Sequence, residues 1–391
     1  MKGKETIKCC FLGLFEEVWK YEGVYKLMES NPRFEPMILV CPVINYGPEN
    51  MILRMRQCYE FFKSKGYCVM KAYNEENGKY VSLSKDVRPD ILFYTNPYRG
   101  LIDDRYFIDK CNQFLAIYVP YSINNSSAYD ANYNLILHNL LWRHYLPTES
   151  HLQYAKDYSK TAGHNCVVTG YPGIEPLLTK THFDQKDWRN DHTGKKRIIW
   201  APHHTIEPVG VVFYSCFIRY CDFMVEMAKK YEKQAMFVFK PHPLLKNKLY
   251  EKWGHDRTDF YYEQWTNLKN TNLNEGEYDD LFLSSDAMIH DSGSFISEYL
   301  YTKKPVMRTL NSTGRIENMN SFAEDCLSCH YLGYNESDIE QFIQNVIHDI
   351  DPMKDKRTKF VEKVLMPKGS PSQNIVNDIL DSIDNQVLYR N

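Results

Sequence analysis

Apolar positions in the first half of the chain fall into short runs separated by longer stretches with helical spacing. The runs at 7–14, 37–41, 67–71, 91–94, 114–119 and 166–169 have the length of strands. Between them, the spacing predicts helices over 16–28, 49–65, 103–111 and 150–161. Turn signals sit at the joints: Asn31-Pro32, Gly47-Pro48, Lys65-Gly66, Arg88-Pro89 and Asn96-Pro97. Strand and helix in alternation predict a mostly parallel sheet covered on both faces. Gly170-Tyr171-Pro172-Gly173 and a polar stretch break the pattern, which then restarts. The second half predicts strands at 197–201, 237–240, 259–262, 287–290 and 306–307. Its helices are expected over 211–230, 246–253, 278–283 and 295–301, with short ones over 337–347, 355–365 and 372–384. The expected organisation is therefore an N-terminal α/β domain over 1–172, a linker over 173–195, a second α/β domain over 196–368, and a last helical segment over 369–391. Two similar α/β halves suggest two Rossmann-like domains facing a cleft, with ligands at the ends of the parallel strands.

Composition narrows the class. With 391 residues, 43% hydrophobic and 25% charged, the chain reads as a soluble globular protein. A net charge of −3 excludes a strongly basic nucleic-acid binder. No apolar run is long enough to span a bilayer, and the first strand is too short for a signal-peptide core, so the expected compartment is the cytoplasm. Eleven scattered cysteines, an odd number, agree with a reducing environment. Cys326-Leu-Ser-Cys329-His330 has the spacing of a haem attachment site, but without an export signal or a second ligand pair it reads as chance.

The candidate chemistry gathers in three loops, each after a predicted strand of the second half. These are Trp200-Ala-Pro-His203-His204-Thr205, Lys240-Pro-His242-Pro, and His290-Asp291-Ser292-Gly293-Ser294. A lysine, imidazoles, hydroxyls and the backbone N–H groups of a strand-to-helix turn together suit a pyrophosphate. Each loop alone is weak, because a single histidine or a serine-capped helix is more often structural. No cluster of carboxylates suggests a dedicated metal site, although a divalent cation could arrive with a nucleotide.

Gly170-Tyr-Pro172, Trp200-Ala-Pro202, Lys240-Pro-His242-Pro, Asp291-Ser-Gly-Ser294, Glu298-Tyr and Lys304-Pro305 occur in an order that resembles the CDP-glycerol glycerophosphotransferase family, the teichoic-acid and capsule enzymes. Pro367-Lys-Gly-Ser-Pro-Ser372 is similar to that family's closing segment. The resemblance spans about 170–379. It implies a glycosyltransferase-B type fold, a CDP-linked donor held by the second domain, and a last helix that crosses back to the first. It places His242 at a histidine serving the donor phosphates or catalysis, Ser292 to Ser294 at the diphosphate turn, and Glu298 at a carboxylate for the ribose hydroxyls. His203 stands where the family more often has threonine. The family's His-Gly-Thr-Pro motif, which carries its favoured general base, has no counterpart here. The matching stretch is Ile117-Tyr118-Val119-Pro120-Tyr121-Ser122.

The expected activity is transfer of glycerol phosphate, or a related alditol phosphate, from a CDP-linked donor to a hydroxyl of a cell-envelope glycan or lipid-linked precursor. His242, His204 and Glu17 are the candidate catalytic residues. Donor contacts are expected from His203, Thr205, Lys240, His290, Asp291, Ser292, Gly293, Ser294 and Glu298, and acceptor contacts from Tyr118 and Tyr121. Glu16, His138, His144 and His203 are further candidates for the missing base, the histidine at 138 reading more readily as packed. One rival is a glycosyltransferase using a CMP-, UDP- or GDP-sugar; another is a nucleotide- or glycan-binding protein without turnover. Arg54, Arg56, Lys63 and Lys65, with Met51, Ile52, Met55, Phe61 and Phe62, allow a peripheral membrane face at the inner side of the cell membrane, although a helix packed on its sheet weighs more.

Overall fold

The computed structural model describes residues 3–16, 19–189, 194–207, 214–310 and 318–385. The chain divides into two compact units. The first holds Met1–Asn124, Ala128–Glu175 and Pro367–Asn391; the second holds Asn125–Ser127 and Pro176–Met366.

In the first unit the strands are β1 (Ile7–Gly13), β2 (Phe34–Val40), β3 (Val69–Lys71), β4 (Ile91–Tyr94), β5 (Leu115–Tyr118), β6 (Arg143–Leu146) and β7 (Cys166–Val168). They form one sheet in the order β3-β2-β1-β4-β5-β6-β7, every neighbouring pair parallel. All four residues of β4 are buried, as are Cys10, Phe11 and Leu12 of β1. Their apolar runs thus become strands covered on both faces. The helix Pro48–Ser64 turns Met55, Cys58 and Phe62 inward, while Arg56 pairs with Glu75 on the surface. Of the apolar residues expected on a membrane face, Met55 and Phe62 therefore serve the core, while Met51, Ile52 and Phe61 are part-buried.

The last helix, Pro371–Asp384, belongs to this first unit. Its Asp378 accepts from Arg143 Nε at 3.0 Å and from the Tyr145 hydroxyl at 3.0 Å, and Asn374 donates to the Thr169 carbonyl at 3.0 Å. The joint depends on Gly170. Its φ is +84°, and a Cβ there would lie 2.5 Å from Pro367 Cβ and 2.9 Å from Pro371 Cγ. Both the backbone and the space demand glycine. Gly170→Ala is expected to destabilise the first unit by about 2 kcal/mol or more, a drop of several degrees in melting temperature. A melting point equal to that of the unaltered chain in differential scanning calorimetry would show the close approach to be unimportant.

The second unit carries β8 (Lys196–Ala201), β9 (Ala235–Phe239), β10 (Thr271–Leu273), β11 (Ala287–His290), β12 (Val306–Thr309) and β13 (Tyr331–Gly333). The order is β10-β9-β8-β11-β12-β13, again wholly parallel. Ile198, Trp200, Phe217, Met224, Phe239 and Trp265 lead its core. In this order the chain winds outward from β8 in one direction, then returns to start the other side at β11. The two strands stay paired to their last residues, Ala201 with His290, but the connections that follow them lead to opposite sides of the sheet, which is where such sheets receive ligands.

Several sequence expectations are corrected. The stretch 259–262 is not a strand but part of the helix His255–Asn267, which buries Thr258, Tyr261, Tyr262 and Trp265 at helical spacing. The strand falls later, at Thr271–Leu273. Strands β6 and β13 were not expected. The helix expected over 16–28 begins at Glu22, and 103–111 forms two short 3-10 turns. Residues 211–213 of the helix expected over 211–230 lie outside the described residues, and its described part begins at Phe217. Of the linker expected over 173–195, residues 190–193 lie outside the described residues, and the described part is divided between the two units. The units divide between Glu175 and Pro176, Trp188 Nε1 donates to Ser284 Oγ at 2.7 Å, and Arg189 Nε donates to the Thr271 carbonyl at 2.7 Å.

Candidate functional site

The loop after β8 and the loop after β9 bring His203, His204 and His242 together. Ring centroids lie 4.3 Å apart for His203 and His204, 4.2 Å for His204 and His242, and 5.0 Å for His203 and His242. Each ring has a nitrogen within 4.8 Å of the others'. All three are partly exposed.

Local hydrogen bonds fix two of the tautomers. His203 Nδ1 accepts from the Thr205 backbone N–H at 3.3 Å and lies 2.9 Å from Thr205 Oγ1. Thr205 Oγ1 in turn accepts from the Tyr214 N–H at 3.0 Å, leaving its own hydrogen for His203. His242 Nδ1 accepts from the Leu244 N–H at 3.1 Å. A neutral ring that accepts at Nδ1 must carry its proton on Nε2. Burial keeps these rings neutral, pushing His203 down to about 2 and His242 down to about 3, with the neighbouring imidazoles adding to the effect. His204 is lowered too, by burial and by Lys248.

Three imidazoles this close could hold a metal ion. The hydrogen bonds behind the rings do not fit one. A ring that ligates through Nε2 ordinarily donates its Nδ1–H to an acceptor. Here Nδ1 of His203 and of His242 faces an N–H donor instead. The cluster is built as a pair of neutral N–H donors, with His204 Nδ1 left without a partner among the described residues. That arrangement suits oxygen anions.

The turn Ser292–Ser294 follows β11. It is coupled to the histidines through Asp291, whose carboxylate accepts from the backbone N–H of His203 and, at 2.6 Å, from that of Cys216. Asp291 is thus an anchor for two loops and not a ligand contact, contrary to the sequence expectation; it is 2% exposed, and burial pushes its carboxyl up to about 7. Ser292, Gly293 and Ser294 offer N–H groups with no acceptor among the described residues, and two hydroxyls 3.4 Å apart. The helix behind them is α-helical only over Phe295–Glu298 and continues as a 3-10 helix over Tyr299–Thr302. The turn's amides, more than a long helix dipole, are therefore what this segment could offer an anion.

Other expected donor residues are placed differently. His290 is wholly buried at the end of β11, among His330, Arg308 and Phe295, and reaches no ligand. Thr205 is 2% exposed and acts on His203. Lys240 is also buried; its ammonium donates to the Gly276 carbonyl at 2.8 Å, and burial pulls its pKa down to about 8. It ties the loop after β10 and does not present a free charge. The Glu298 carboxylate, 4% exposed, accepts from the Tyr278 hydroxyl at 2.8 Å. Arg308, Tyr214 and Asn125 were not foreseen. Arg308 could have been: an arginine in the apolar run Val306-Met-Arg308-Thr is a charge at a buried strand end.

In the first unit Tyr118 is 3% exposed and packs against His138 and His144, at 5.7 and 5.4 Å between centroids. It is a core residue and not an acceptor contact. His138 and His144 are each 2% exposed, stacked, and held neutral by burial, so neither reaches an acceptor hydroxyl. Tyr121 is half-buried, and its hydroxyl lies 3.4 Å from that of the more exposed Tyr98. Glu17 lies outside the described residues; Glu16 is part-buried. Cys326 and Cys329 are buried, and His330 Nδ1 lies 3.0 Å from the Cys326 carbonyl, a structural arrangement.

The chain is 25% identical over 182 residues to two teichoic acid ribitol-phosphate polymerases of Staphylococcus aureus, TarL and TarK. Those matches take in 44% of this chain but only 29% and 32% of the relatives' lengths. Among solved structures, the wall teichoic acid polymerase TagF is similar with a TM-score of 0.62 at 13% identity, over 98% of this chain and 90% of that one. The UDP-GlcNAc 2-epimerase of Neisseria meningitidis gives 0.61 at 14% identity, over 96% and 100%. At such identities the likeness shows the fold, two Rossmann-like α/β units of the glycosyltransferase-B type. Residues 145–381, which include every described histidine and turn residue of the site in the second unit, match the CDP-Glycerol:Poly(glycerophosphate) glycerophosphotransferase model, and the chain belongs to that family.

Proposed function

We propose that the chain transfers glycerol phosphate, or a related alditol phosphate, from a CDP-linked donor to a hydroxyl of a cell-envelope glycan or its lipid-linked precursor. The observation that carries this reading is the pair of neutral Nε2–H donors on His203 and His242, set beside the Ser292–Ser294 turn at the switch point of the sheet. Membership of the family supports the donor class, as do the TarL and TarK polymerases and the TagF structure obtained with CDPG.

In this reading the diphosphate lies against the turn amides and the two imidazole N–H groups. The acceptor oxygen attacks the phosphorus that bears the alditol. A new P–O bond forms, the bond to the bridging oxygen breaks, and CMP leaves with the electron pair. His204, kept unprotonated by burial and Lys248, takes the proton of the attacking hydroxyl. His203 and His242 offset charge growing on the diphosphate, where preoriented donors act most strongly. A lipid-linked acceptor would bring the chain to the inner face of the membrane; no described helix is long and apolar enough to cross it.

Isothermal titration with CDP, UDP and GDP tests the donor site. CDP is expected to bind best, and His242→Ala to weaken it by about tenfold or more, the loss of one charge-assisted hydrogen bond. CDP affinity should be the same in EDTA as with added magnesium, because the donor set is neutral N–H and not metal. Tighter binding of UDP or GDP would move the reading to a sugar transferase, and binding only with magnesium would overturn the role given to the imidazoles.

A further inference from the structure

The Ser292–Ser294 turn can offer its N–H groups only if its carbonyls are held elsewhere, and two side chains far from it in sequence hold them. Arg308, 3% exposed at the end of β12, donates from Nη1 to the Ser292 carbonyl at 2.8 Å. Its guanidinium lies 5.3 Å from the Tyr214 ring centre, and its charge faces Asp291. Asn125, 6% exposed, donates both amide hydrogens: to the Gly293 carbonyl at 2.9 Å and to Ser297 Oγ at 3.0 Å. Turning this amide over would set oxygen against the Gly293 carbonyl, so its orientation is dictated. The consequence is a buried Asn125 Oδ1 with no partner among the described residues. Buried acceptors are seldom left so, and one left beside a candidate site marks a place where geometry has been favoured over stability.

Asn125 reaches the turn by an unusual route. Residues Asn125–Ser127 belong by contact to the second unit, although the chain on either side belongs to the first. The excursion is fastened by an antiparallel bridge between Ser126 and Met319, by Ser127 N–H to the Asn318 carbonyl at 2.8 Å, and by Asn320 N–H to the Asn125 carbonyl at 3.1 Å. Three residues are thus borrowed from the first half of the sequence to finish the turn.

We propose that Asn125 and Arg308 are positioning residues for the donor's diphosphate, tying back the Gly293 and Ser292 carbonyls so that the N–H groups of Ser294 and Gly293, which share those peptide planes, converge on the anion. This rests on the donor-site reading above. A peptide group pinned at its oxygen presents its N–H in one direction, so loss of either tie lets the turn rotate and disperses the donors. The effect falls on the phosphates and not on the nucleoside.

The test is the affinity for CDP relative to cytidine, by titration calorimetry, in Asn125→Ala, Asn125→Asp, Arg308→Met and Arg308→Lys. Asn125→Ala and Arg308→Met are expected to lower the CDP-to-cytidine ratio about tenfold, with cytidine binding unchanged. Asn125→Asp, which turns oxygen toward the Gly293 carbonyl, should lower it further, and Arg308→Lys should recover part of the loss in Arg308→Met. Equal losses for CDP and cytidine would mean a merely structural role and overturn the proposal. So would an unchanged ratio in Asn125→Asp with the fold intact by circular dichroism; should Arg308→Met fail to fold, the Asn125 pair decides. If the unaltered chain binds neither CDP nor any other nucleoside diphosphate, the donor-site reading itself falls.

Discussion

Replacing Asp378 by alanine is expected to destabilise the first unit by about 3–5 kcal/mol, the range for breaking a buried ion pair from one side. Arg143 is 0% exposed and Asp378 5% exposed. The guanidinium donates from Nε to Asp378 Oδ2 at 3.0 Å, from Nη2 to Ser382 Oγ at 2.8 Å and from Nη1 to the Trp142 carbonyl at 3.1 Å. Tyr145 donates its hydroxyl to the same carboxylate oxygen. Alanine at 378 would therefore leave a cation in the interior without its anion and take from Tyr145 the acceptor it uses. The pair joins β6 to the last helix, so the loss should appear as detachment of that helix.

Exposed pairs supply the contrast. Lys26 and Glu29, at 3.1 Å, are both more than two-fifths exposed, and Glu29→Ala is expected to change stability by less than about 1 kcal/mol. The double replacement Arg143→Met with Asp378→Leu should recover most of the loss in Asp378→Ala, since desolvating two charges offsets much of their attraction. Urea unfolding, followed by limited proteolysis of the last helix, reads all three variants. A loss in Asp378→Ala no greater than that in Glu29→Ala would show that the interior charge is compensated in another way.

Arg143 also shows where the sequence could be read and where it could not. Strands β1, β4 and β11 announce themselves because their apolar runs are covered on both faces. Arg143-His144-Tyr145-Leu146 is as deeply buried, yet polar, because its partners come from a helix more than two hundred residues later. No local pattern carries that information. The stretch 259–262 misled for the opposite reason: Tyr261 and Tyr262 favour strands locally, but Thr258, Tyr261, Tyr262 and Trp265 bury one helical face. At the site, the residues after β8, β9 and β11 were legible from their position at strand ends. Their division of labour was not. Whether Asp291, Thr205 or Lys240 faces a ligand or a backbone group depends on loops meeting in space, and the resemblance to a family transferred a position without its hydrogen bonds. Asn125 was beyond reach, since it lies in the other half of the sequence from the turn that it holds.

Acid should unfold this chain well above the pH at which carboxylates alone would act. His138 and His151 are pushed down to about 4 and His330 to about 3, all by burial. His203 and His242 lie lower than usual as described, and His144 and His290 well below the ordinary value of 6.5. The sign follows from which state binds more protons. Above 6.5 both folded and unfolded rings are neutral, and nothing changes. Below it, the unfolded rings protonate while the folded ones do not, so each removes about 1.4 kcal/mol of stability per pH unit until its own folded pKa is reached. Asp291 works the other way, since its raised carboxyl makes the folded state take a proton between about 7 and the usual carboxylate range, but it is one group against many. Below 6.5 unfolding is then expected to take up several protons net, and stability to fall steeply as the pH drops toward 5. Urea midpoints measured at pH 7.5, 6.5 and 5.5 give that number directly from their slope. Midpoints that stay level across this range would mean the buried rings are protonated in the folded state and that the neutral-donor account of His203 and His242 is wrong. CDP sharpens the test. An anion held against these two imidazoles favours their protonated form, so it should slow the acid loss in the second unit and leave that of the first, carried by His138, His144 and His151, where it was.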